Sequence, residues 1–326
     1  MPFPYRFVRR LSVGACLLAA LASATSAQTW PAKPIRLVVN FPAGGAADTL
    51  ARGVAPALGE ALKQPVVIDN RPGANGTIGG DAVAKAPADG YTFLLTSGGA
   101  VTIDPFLYKK MPYDPQKDLV PVASVALVRV YLLVHPSVPA TTLNEFIAYL
   151  RAHPGKLSYG SPGNGSSPHI AAEMFRRAGK LDVLHVPYKG AAPALNDLLA
   201  GQVQFMFDPG PGLQHVASGK LRLLAVASAR RAAQYPGVPT VAEAGLGGVD
   251  GDTTFGVYAP AGTPQAIVER MNREINRVLG SAQLQENVNR LGGTAQPLSI
   301  QAFADRQNAD RNRYGAFIRA AGITLD

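Results

Sequence analysis

Cysteine is almost absent from this sequence, which has a single one, Cys16, among 326 residues. Cys16 lies in an apolar run, residues 11–22, that follows three arginines and precedes small residues ending at Ala27. This order is typical of a cleavable export signal. We expect residues 1–27 to be removed, with cleavage after Ala24 as an alternative. The mature chain would then contain no disulfide, no thiol nucleophile and no cysteine metal site.

Long apolar runs are also missing. The run in the signal is shorter than the roughly 20 residues that a transmembrane helix needs, and no longer one follows, so we expect a mature chain that does not span a membrane. Cys16 could alternatively be the lipid-bearing residue of a lipoprotein signal, but the apolar run continues past it, where such a signal turns polar.

Strong charge of either sign is absent from the mature chain. The formal net charge of +9 falls to +6 when the three arginines of the signal leave. The basic residues are scattered rather than grouped with aromatic residues, so we do not expect nucleic acid as a partner. A modest positive field of this kind favours small anions.

Common enzyme motifs are missing as well. The sequence has neither a phosphate-binding P-loop nor a Gly-x-Gly-x-x-Gly run, so no nucleotide cofactor is expected. The five histidines lack the His-Glu-x-x-His spacing, so no metal site is expected either. Tyr159-Gly160-Ser161-Pro162-Gly163 only approaches the serine hydrolase elbow, because Tyr159 occupies a position that requires glycine.

What the sequence does contain is an alternation of β-branched runs with helical patterns, which is typical of an α/β fold with a largely parallel sheet. The predicted strands are residues 35–41, 66–69, 91–96, 122–134, 157–159, 183–186, 204–207, 221–227 and 253–259. The predicted helices are residues 49–64, 78–86, 143–152, 169–178 and 193–199, and the chain is predicted to be helical from 264 to 321.

Two of these strands, 122–134 and 253–259, are interpreted as crossings between two lobes. The predicted domains are the signal at 1–27, a first lobe at 28–128 plus 250–326, and a second lobe at 129–249. The lobes would enclose one cleft and close by a hinge motion through the crossings near Val128 and Asp250.

Each predicted lobe carries a loop rich in glycine or serine between a strand and a helix, residues 42–48 in the first lobe and 160–167 in the second. Ligands of open α/β sheets bind at such carboxyl ends of strands. Free backbone N–H groups and the helix dipole could neutralise a carboxylate there without an arginine. The glycines could alternatively serve only to make tight turns.

At these loops the sequence resembles the Bug-type periplasmic solute receptors of tripartite tricarboxylate transporters. The resemblance rests on Trp30-Pro31-x-Lys33-Pro34-Ile35, Phe41-Pro42-Ala43-Gly44-Gly45, Asn70-Arg71-Pro72-Gly73-Ala74, Asp89-Gly90-Tyr91, Tyr113-Asp114-Pro115-x-Lys117-Asp118, Tyr159-Gly160-Ser161-Pro162-Gly163-Asn164-Gly165, His185-Val186-Pro187-Tyr188-Lys189-Gly190, Gly201-Gln202-Val203, Met206-Phe207-Asp208 and Val238-Pro239-Thr240.

The resemblance implies a two-lobed periplasmic binding protein of type II, the Venus flytrap fold, that holds a small carboxylate through backbone groups and bridging waters. The sequence departs from the family at Ala46-Ala47, at Pro209-Gly210-Pro211-Gly212 and at Phe255, where many relatives have tryptophan. These departures lie near the expected pocket, so the ligand of a relative is not transferred to this chain.

The expected ligand-binding residues combine the two loops with neighbouring strand ends. Asp48 could cap a helix instead, and Asp208 could either contact the ligand or cap a helix. The full set is Phe41, Ala43, Gly44, Gly45, Asp48, Thr96, Ser97, Ser161, Gly163, Asn164, Gly165, Ser166 and Asp208.

The sequence therefore predicts a monomeric periplasmic receptor, not an enzyme, that captures an organic, amino or aromatic acid for a membrane transporter or a sensor. One alternative is a periplasmic serine hydrolase that uses Ser161 or Ser166 with His169. A ligand-sensing transcriptional regulator is a second alternative, but an export signal stands where its DNA-binding helices would be.

Overall fold

The computed structural model describes residues 30–325, and the predicted signal at residues 1–27 lies outside them. Residues 30–32 contain no helix or strand, and the fold begins after them. The described strands are β1 Ile35–Val39, β2 Val66–Asn70, β3 Thr92–Thr96, β4 Leu119–Val128, β5 Tyr131–Val134, β6 Ser158–Ser161, β7 Leu184–Pro187, β8 Phe205–Asp208, β9 Arg222–Val226, β10 Thr253–Pro260 and β11 Thr294–Ala295.

The described α-helices are α1 Ala46–Leu62, α2 Thr77–Ala84, α3 Asp104–Leu107, α4 Leu143–Ala152, α5 Ser167–Gly179, α6 Ala191–Leu199, α7 Gln265–Leu279, α8 Ala282–Arg290 and α9 Ile300–Ala321. Short 3-10 turns occupy Ala74–Gly76, Pro211–His215 and Ala242–Ala244, and a π turn occupies Gly99–Ile103. The alternation of strands and helices agrees with the predicted α/β class.

The strands form two sheets of similar design. The first has the order β11-β4-β10-β3-β1-β2 and the second has the order β7-β6-β8-β5-β9. In each sheet three neighbouring strands are parallel, β3-β1-β2 in the first and β7-β6-β8 in the second. The remaining strands pair antiparallel to their neighbours, so each sheet is mixed and the prediction of a largely parallel sheet is wrong. The loops that follow the parallel strands therefore gather at one edge of each sheet.

The predicted single strand at residues 122–134 is wrong in one respect, because it is two strands. Strand β4 ends at Val128 in the first sheet, and β5 begins at Tyr131 in the second. The sequence is apolar on both sides of Arg129, and Val130 is fully buried, so a single charged residue marks the break. The chain changes sheets at this point because β4 pairs with β10 whereas β5 pairs with β8 and β9.

The carboxy-terminal segment, predicted as helical from 264 to 321, contains three helices and the short strand β11. Gly280 ends α7, and the Ser281 side chain accepts a hydrogen bond from the N–H of Leu284 to cap α8. Helix α7 places Val268, Met271 and Ile275 on one buried face at helical spacing. Helix α9 buries Tyr314 and Ile318 in the same core as Phe175 and Phe205 of the second sheet's layer.

The core consists of the apolar faces that these layers cover. All eight residues of β10 are buried, as expected for a strand with neighbours on both edges and helices on its faces. The boundaries that the sequence predicts for the two lobes stay a prediction, although each sheet draws its strands from the segments assigned to one lobe.

Candidate ligand-binding site

A narrow cavity of about 50 Å³ lies where the carboxyl ends of the parallel strands of both sheets meet. The loops after β1 and β3 contribute one wall, the loops after β6, β7 and β8 contribute the other, and Phe255 of β10 completes it. The lining residues are Phe41, Pro42, Gly45, Ala46, Ala47, Ser97, Pro162, Ser166, Ser167, Pro168, Gly190, Ala191, Pro209 and Phe255. The position is the one at which open α/β sheets bind ligands.

Three helices begin at this cavity. Helix α1 starts after Gly45, α6 starts after Gly190, and α5 starts after Ser166, and all three of these residues line the cavity. Gly45 and Gly190 provide no side-chain cap, so within the described residues the first N–H groups of α1 and α6 lack an intrahelical partner and an N-cap side chain. Helix N-termini carry partial positive charge, and the cavity is therefore suited to an anion.

No charged side chain lines the narrow cavity within residues 30–325. Asp48 is buried nearby in α1, where its carboxylate accepts hydrogen bonds from the N–H of Gly44 at 3.0 Å and from Arg52 Nε at 2.9 Å. Asn70 donates one hydrogen to Asp48 at 3.1 Å and lies 3.1 Å from the carbonyl oxygen of Phe41. Burial raises the pKa of Asp48, but these hydrogen bonds offset that and leave the pKa below its ordinary value. Asp48 thus holds the first loop in place through Gly44 and Asn70 without lining the cavity itself.

The second loop is fixed by its own side chains. Ser166 caps α5, because its Oγ accepts a hydrogen bond from the N–H of His169 and donates one to the carbonyl oxygen of Gly163 at 2.7 Å. The Nδ1 atom of His169 accepts a hydrogen bond from the N–H of Gly165 at 3.1 Å. Gly165 has φ +81°, and a Cβ there would lie 2.7 Å from the Leu107 side chain, so the loop needs glycine at this position.

Asp208 lies at the end of β8 and is fully buried. Its Oδ2 atom accepts hydrogen bonds from the N–H groups of Gly210 at 2.7 Å and Gly212 at 2.8 Å, just before the Pro211–His215 turn. Its Oδ1 atom is buried without a hydrogen-bond partner among the described residues. Burial raises the pKa of Asp208 to about 6, although the two backbone hydrogen bonds lower it. Asp208 therefore holds the backbone of the turn that follows it, as a capping residue does. A contact between Asp208 and the ligand stays a prediction.

A wider pocket of about 590 Å³ adjoins the narrow cavity. The two share Phe41, Pro42, Pro162 and Gly190 in their walls. The wider pocket adds residues from the loops after β2, β6 and β7, among them Asn75, Gly163, Asn164, Tyr188 and Lys189. Space that continues beyond the shared wall can accept a ligand longer than the narrow cavity alone could hold.

Six of the thirteen predicted site residues line this space. Phe41, Gly45, Ser97 and Ser166 line the narrow cavity, and Gly163 and Asn164 line the wider pocket together with Phe41. The others line neither of the two: Ala43, Gly44, Asp48, Thr96, Ser161, Gly165 and Asp208. Thr96 and Ser161 are fully buried behind the wall.

The third helix start, Gly190-Ala191, lines the narrow cavity but is not among the residues predicted from the sequence. The lining positions Pro162, Ser167 and Pro168 are likewise absent from the predicted set. The signal for Gly190 was available, because a strand, a glycine and a helix follow one another there as they do in the other two loops.

The hydrolase alternative depends on a serine that a histidine can activate. Ser161 Oγ lies 2.7 Å from Nε2 of His185 rather than beside His169, and Ser161 is fully buried. His169 and His185 stack with their ring centroids 4.3 Å apart. Burial lowers the pKa of His169 to about 4 and the pKa of His185 to about 3. A serine enclosed in this way cannot meet a substrate without movement of the loop.

These loops can be compared with known proteins. A model of the TctC family, described as tripartite tricarboxylate transporter family receptor, matches residues 50–323. This chain belongs to that receptor family. The protein BugT of Bordetella pertussis is 39% identical over 313 residues, which cover 94% of this chain and 95% of BugT. The resemblance that the sequence motifs indicated is thereby confirmed.

Solved structures of TctC-type receptors and their relatives share the fold. An R. palustris protein, Rpa4515, solved with adipate, is 37% identical with a TM-score of 0.87 and covers 91% of this receptor and 100% of its own chain. MatC of R. palustris, solved with bound malate, is 31% identical with a TM-score of 0.83. The match covers 89% of this receptor and 100% of MatC. The periplasmic binding protein BugD is 32% identical with a TM-score of 0.85. The match covers 91% of this receptor and 100% of BugD.

These matches confirm the predicted two-lobed periplasmic binding-protein fold. The family is one of transporter receptors, BugD is a periplasmic binding protein, and two of the solved structures contain a carboxylate, adipate or malate. Within residues 30–325, no helix of this receptor combines the length and the hydropathy that a membrane span requires. The same residues contain no cluster of three His, Cys, Asp or Glu side chains arranged to hold a metal ion.

Proposed function

We propose that this receptor works in the periplasm, where it captures a small organic carboxylate in the space between its lobes and delivers it to the membrane subunits of a tripartite tricarboxylate-type transporter. One observation carries the proposal: three helices begin at one cavity that no charged side chain among the described residues lines. Backbone N–H groups and helix dipoles then supply the positive potential that a carboxylate needs.

The narrow cavity would hold one carboxylate group together with bridging waters. A water needs roughly 10–15 Å³ of such space, so about 50 Å³ accommodates the atoms of one small group and little more. Water-mediated contacts are nearly as favourable as direct ones, which makes an arginine unnecessary. The rest of the ligand would extend past Pro42 and Gly190 into the wider pocket, where Lys189 offers a positive charge for a second carboxylate.

The lobes would be residues 28–128 with 250–326, and residues 129–249, moving about the two crossings. Arg313 of α9 holds the return crossing, because it lies 3.0 Å from Asp250 Oδ1 and donates a hydrogen bond to the carbonyl oxygen of Asp252 at 2.6 Å. In hinge closure a few residues at the ends of elements absorb the rotation, and the residues around the two crossings would have that role here.

The proposal is tested by a thermal-shift screen of the purified protein with adipate, malate, amino acids and aromatic acids. A ligand that binds only the folded state raises the melting temperature, and dicarboxylates are expected to raise it most. If no carboxylate stabilises the protein, the receptor is not a carboxylate receptor. Loss of cellular uptake of the stabilising acid on deletion of the gene would support transport, whereas unchanged uptake with a lost transcriptional response would support sensing.

The role of Asp208 is tested separately. If Asp208 contacts the ligand, Asp208→Ala weakens the binding of amino-bearing or hydroxylated acids and leaves plain carboxylates much less affected. An equal loss for all ligands would show that Asp208 only holds the Gly210–Gly212 turn. The hydrolase alternative would require ester turnover that disappears in both Ser161→Ala and Ser166→Ala.

A further inference from the structure

A second cavity lies between helix α9 and the first sheet, apart from the loops described above. Its volume is about 170 Å³. Gln307, Asn308 and Arg311 of α9 form one side, Tyr258 of β10 forms the base, and the π turn and the start of β4 close the rest. The space is large enough for a compact molecule of several non-hydrogen atoms.

Four polar atoms of the residues that line this cavity have no hydrogen-bond partner within residues 30–325. They are the hydroxyl of Tyr258, both amide atoms of Gln307 and Nη1 of Arg311. Tyr258 is 1% exposed and Gln307 is 7% exposed. Buried polar groups are normally paired, and an unpaired one destabilises the fold. Their concentration at a single cavity indicates that a polar molecule satisfies them.

The charge at this cavity is positive. Arg311 lies over the Phe106 ring at 5.2 Å, which helps to hold its guanidinium in place. Among the described residues, no acidic side chain lines the cavity. The neighbouring carboxylate of Asp310 is engaged by Arg306 at 3.2 Å and by Arg313 at 3.1 Å. The guanidinium of Arg311 is therefore left to attract an anion.

The donors and acceptors specify the anion further. A guanidinium and an amide N–H group suit a carboxylate, whereas the amide oxygen can accept a hydrogen bond only from a donor such as a hydroxyl. We propose that this cavity is a second ligand site that binds a small hydroxycarboxylate, with its carboxylate toward Arg311 and its hydroxyl toward Gln307 and Tyr258. The site is independent of the ligand cleft, because the two share no lining residue.

The test is a titration of the ¹⁵N-labelled exported protein with three matched probes, followed by NMR. Glycolate has both groups, acetate lacks the hydroxyl and ethylene glycol lacks the carboxylate. Glycolate is expected to shift resonances of α9 and of the π turn saturably, with an affinity about tenfold above that of acetate, and ethylene glycol is expected to shift none of them. Binding in the cleft would shift the loops around Gly45 and Ser166 instead, so the two sites are distinguished.

Variants assign the effect to the cavity. Arg311→Gln and Tyr258→Phe are expected to weaken glycolate binding at α9 about tenfold or more. Arg319→Gln is the matched control, because Arg319 also lies over Phe106, at 5.1 Å, but does not line the cavity. The proposal is overturned if the wild-type protein shows no saturable shift at α9, or if Arg311→Gln binds glycolate there as well as Arg319→Gln does.

Discussion

Pro42 and Gly190 meet across the two loops that begin the walls of the ligand cavity. A Cβ atom built on Gly190 would lie 2.9 Å from Cγ of Pro42, so the two residues are in contact with no space between them. Pro42 follows a strand of the first sheet, and Gly190 follows a strand of the second. Both residues line the narrow cavity and the wider pocket. The contact therefore stands where the two halves of the binding space join.

Gly190→Ala is expected to hold these loops apart and to weaken carboxylate binding about tenfold, because the added methyl group collides with Pro42 and tertiary overpacking costs on the order of 1–3 kcal/mol. Isothermal titration calorimetry with the acid found in the thermal screen measures the change. The double variant Pro42→Ala with Gly190→Ala should recover part of the affinity, since it removes the collision.

Backbone strain needs its own control, because Gly190 has φ +129° and Gly219 has φ +72°. A Cβ atom on Gly219 would meet nothing within 4 Å, so Gly219→Ala adds strain without a collision and should leave ligand affinity unchanged. If Gly190→Ala binds the ligand as tightly as the wild type, the Pro42 contact has no part in closing the site.

Much of the fold could be predicted because its signals are local. The helix predicted at 143–152 matches α4, Leu143–Ala152, since its amphipathic pattern and its Thr142 cap lie within the segment itself. The break between β4 and β5 could not be predicted, because it depends on which distant strands pair on either side of Val130. Arg129 lies at the break, but one charged residue does not show that the chain changes sheets there, because strand pairing is tertiary information.

The candidate site was predictable to the same extent. Gly45 and Ser166 were found because a glycine or serine between a strand and a helix is a local pattern. Ser161 was placed in the site as part of the second loop and Asp208 by its strand end, but burial removes both from the cavity surface. The same local pattern precedes α6 at Gly190, so its place at a helix start was predictable, whereas its contact with Pro42 of the other sheet was not.

Phe255 should set the size of ligand that the narrow cavity accepts. Its ring is 4% exposed and forms part of the wall. Phe255→Leu removes ring volume and is expected to favour bulkier acids such as benzoate over malate, whereas Phe255→Trp is expected to favour the smaller acid. Thermal shifts with benzoate and with malate show which acid each variant binds more tightly. An unchanged order in both variants would place the ligand away from Phe255.

Asp208 should make the fold more stable at mildly acidic pH than at alkaline pH. Burial raises its pKa from 3.8 to about 6, so between these values the folded state binds the proton more tightly than the unfolded state. The contribution of Asp208 to stability therefore falls as pH rises through this window. Asp208→Asn keeps an oxygen for Gly210 and Gly212 but carries no charge, and it should raise the free energy of unfolding at pH 8 by about 1–3 kcal/mol.

The measurement is urea denaturation of the wild type and Asp208→Asn at pH 8 and pH 4. The advantage of the variant should shrink at pH 4, where the wild-type carboxyl group is protonated when folded. A variant that is less stable than the wild type at both pH values would mean that a charged Asp208 is needed for the Gly210–Gly212 turn.

His169 and His185 should make the fold less stable at acidic pH than at neutral pH, which is opposite to the effect of Asp208. Burial lowers their pKa values to about 4 and about 3. Below pH 6.5 the two histidines therefore bind protons in the unfolded chain but stay neutral in the folded protein. Their contribution to stability is then lost as pH falls from 6.5 toward 4. At pH 5 the loss at His169, which is 6% exposed, should reach up to about 2 kcal/mol.

The double variant His169→Asn with His185→Gln tests this, because the amide oxygens can replace Nδ1 toward the Gly165 N–H and Nε2 toward Ser161. Its free energy of unfolding should fall less than that of the wild type between pH 7 and pH 5. His215→Asn, outside the stack, serves as the control and should follow the wild type. Since Asp208 is present in all three proteins, its opposing effect cancels in the comparison. Equal slopes for the double variant and the wild type would show that the stacked histidines take up protons in the folded state as readily as in the unfolded chain.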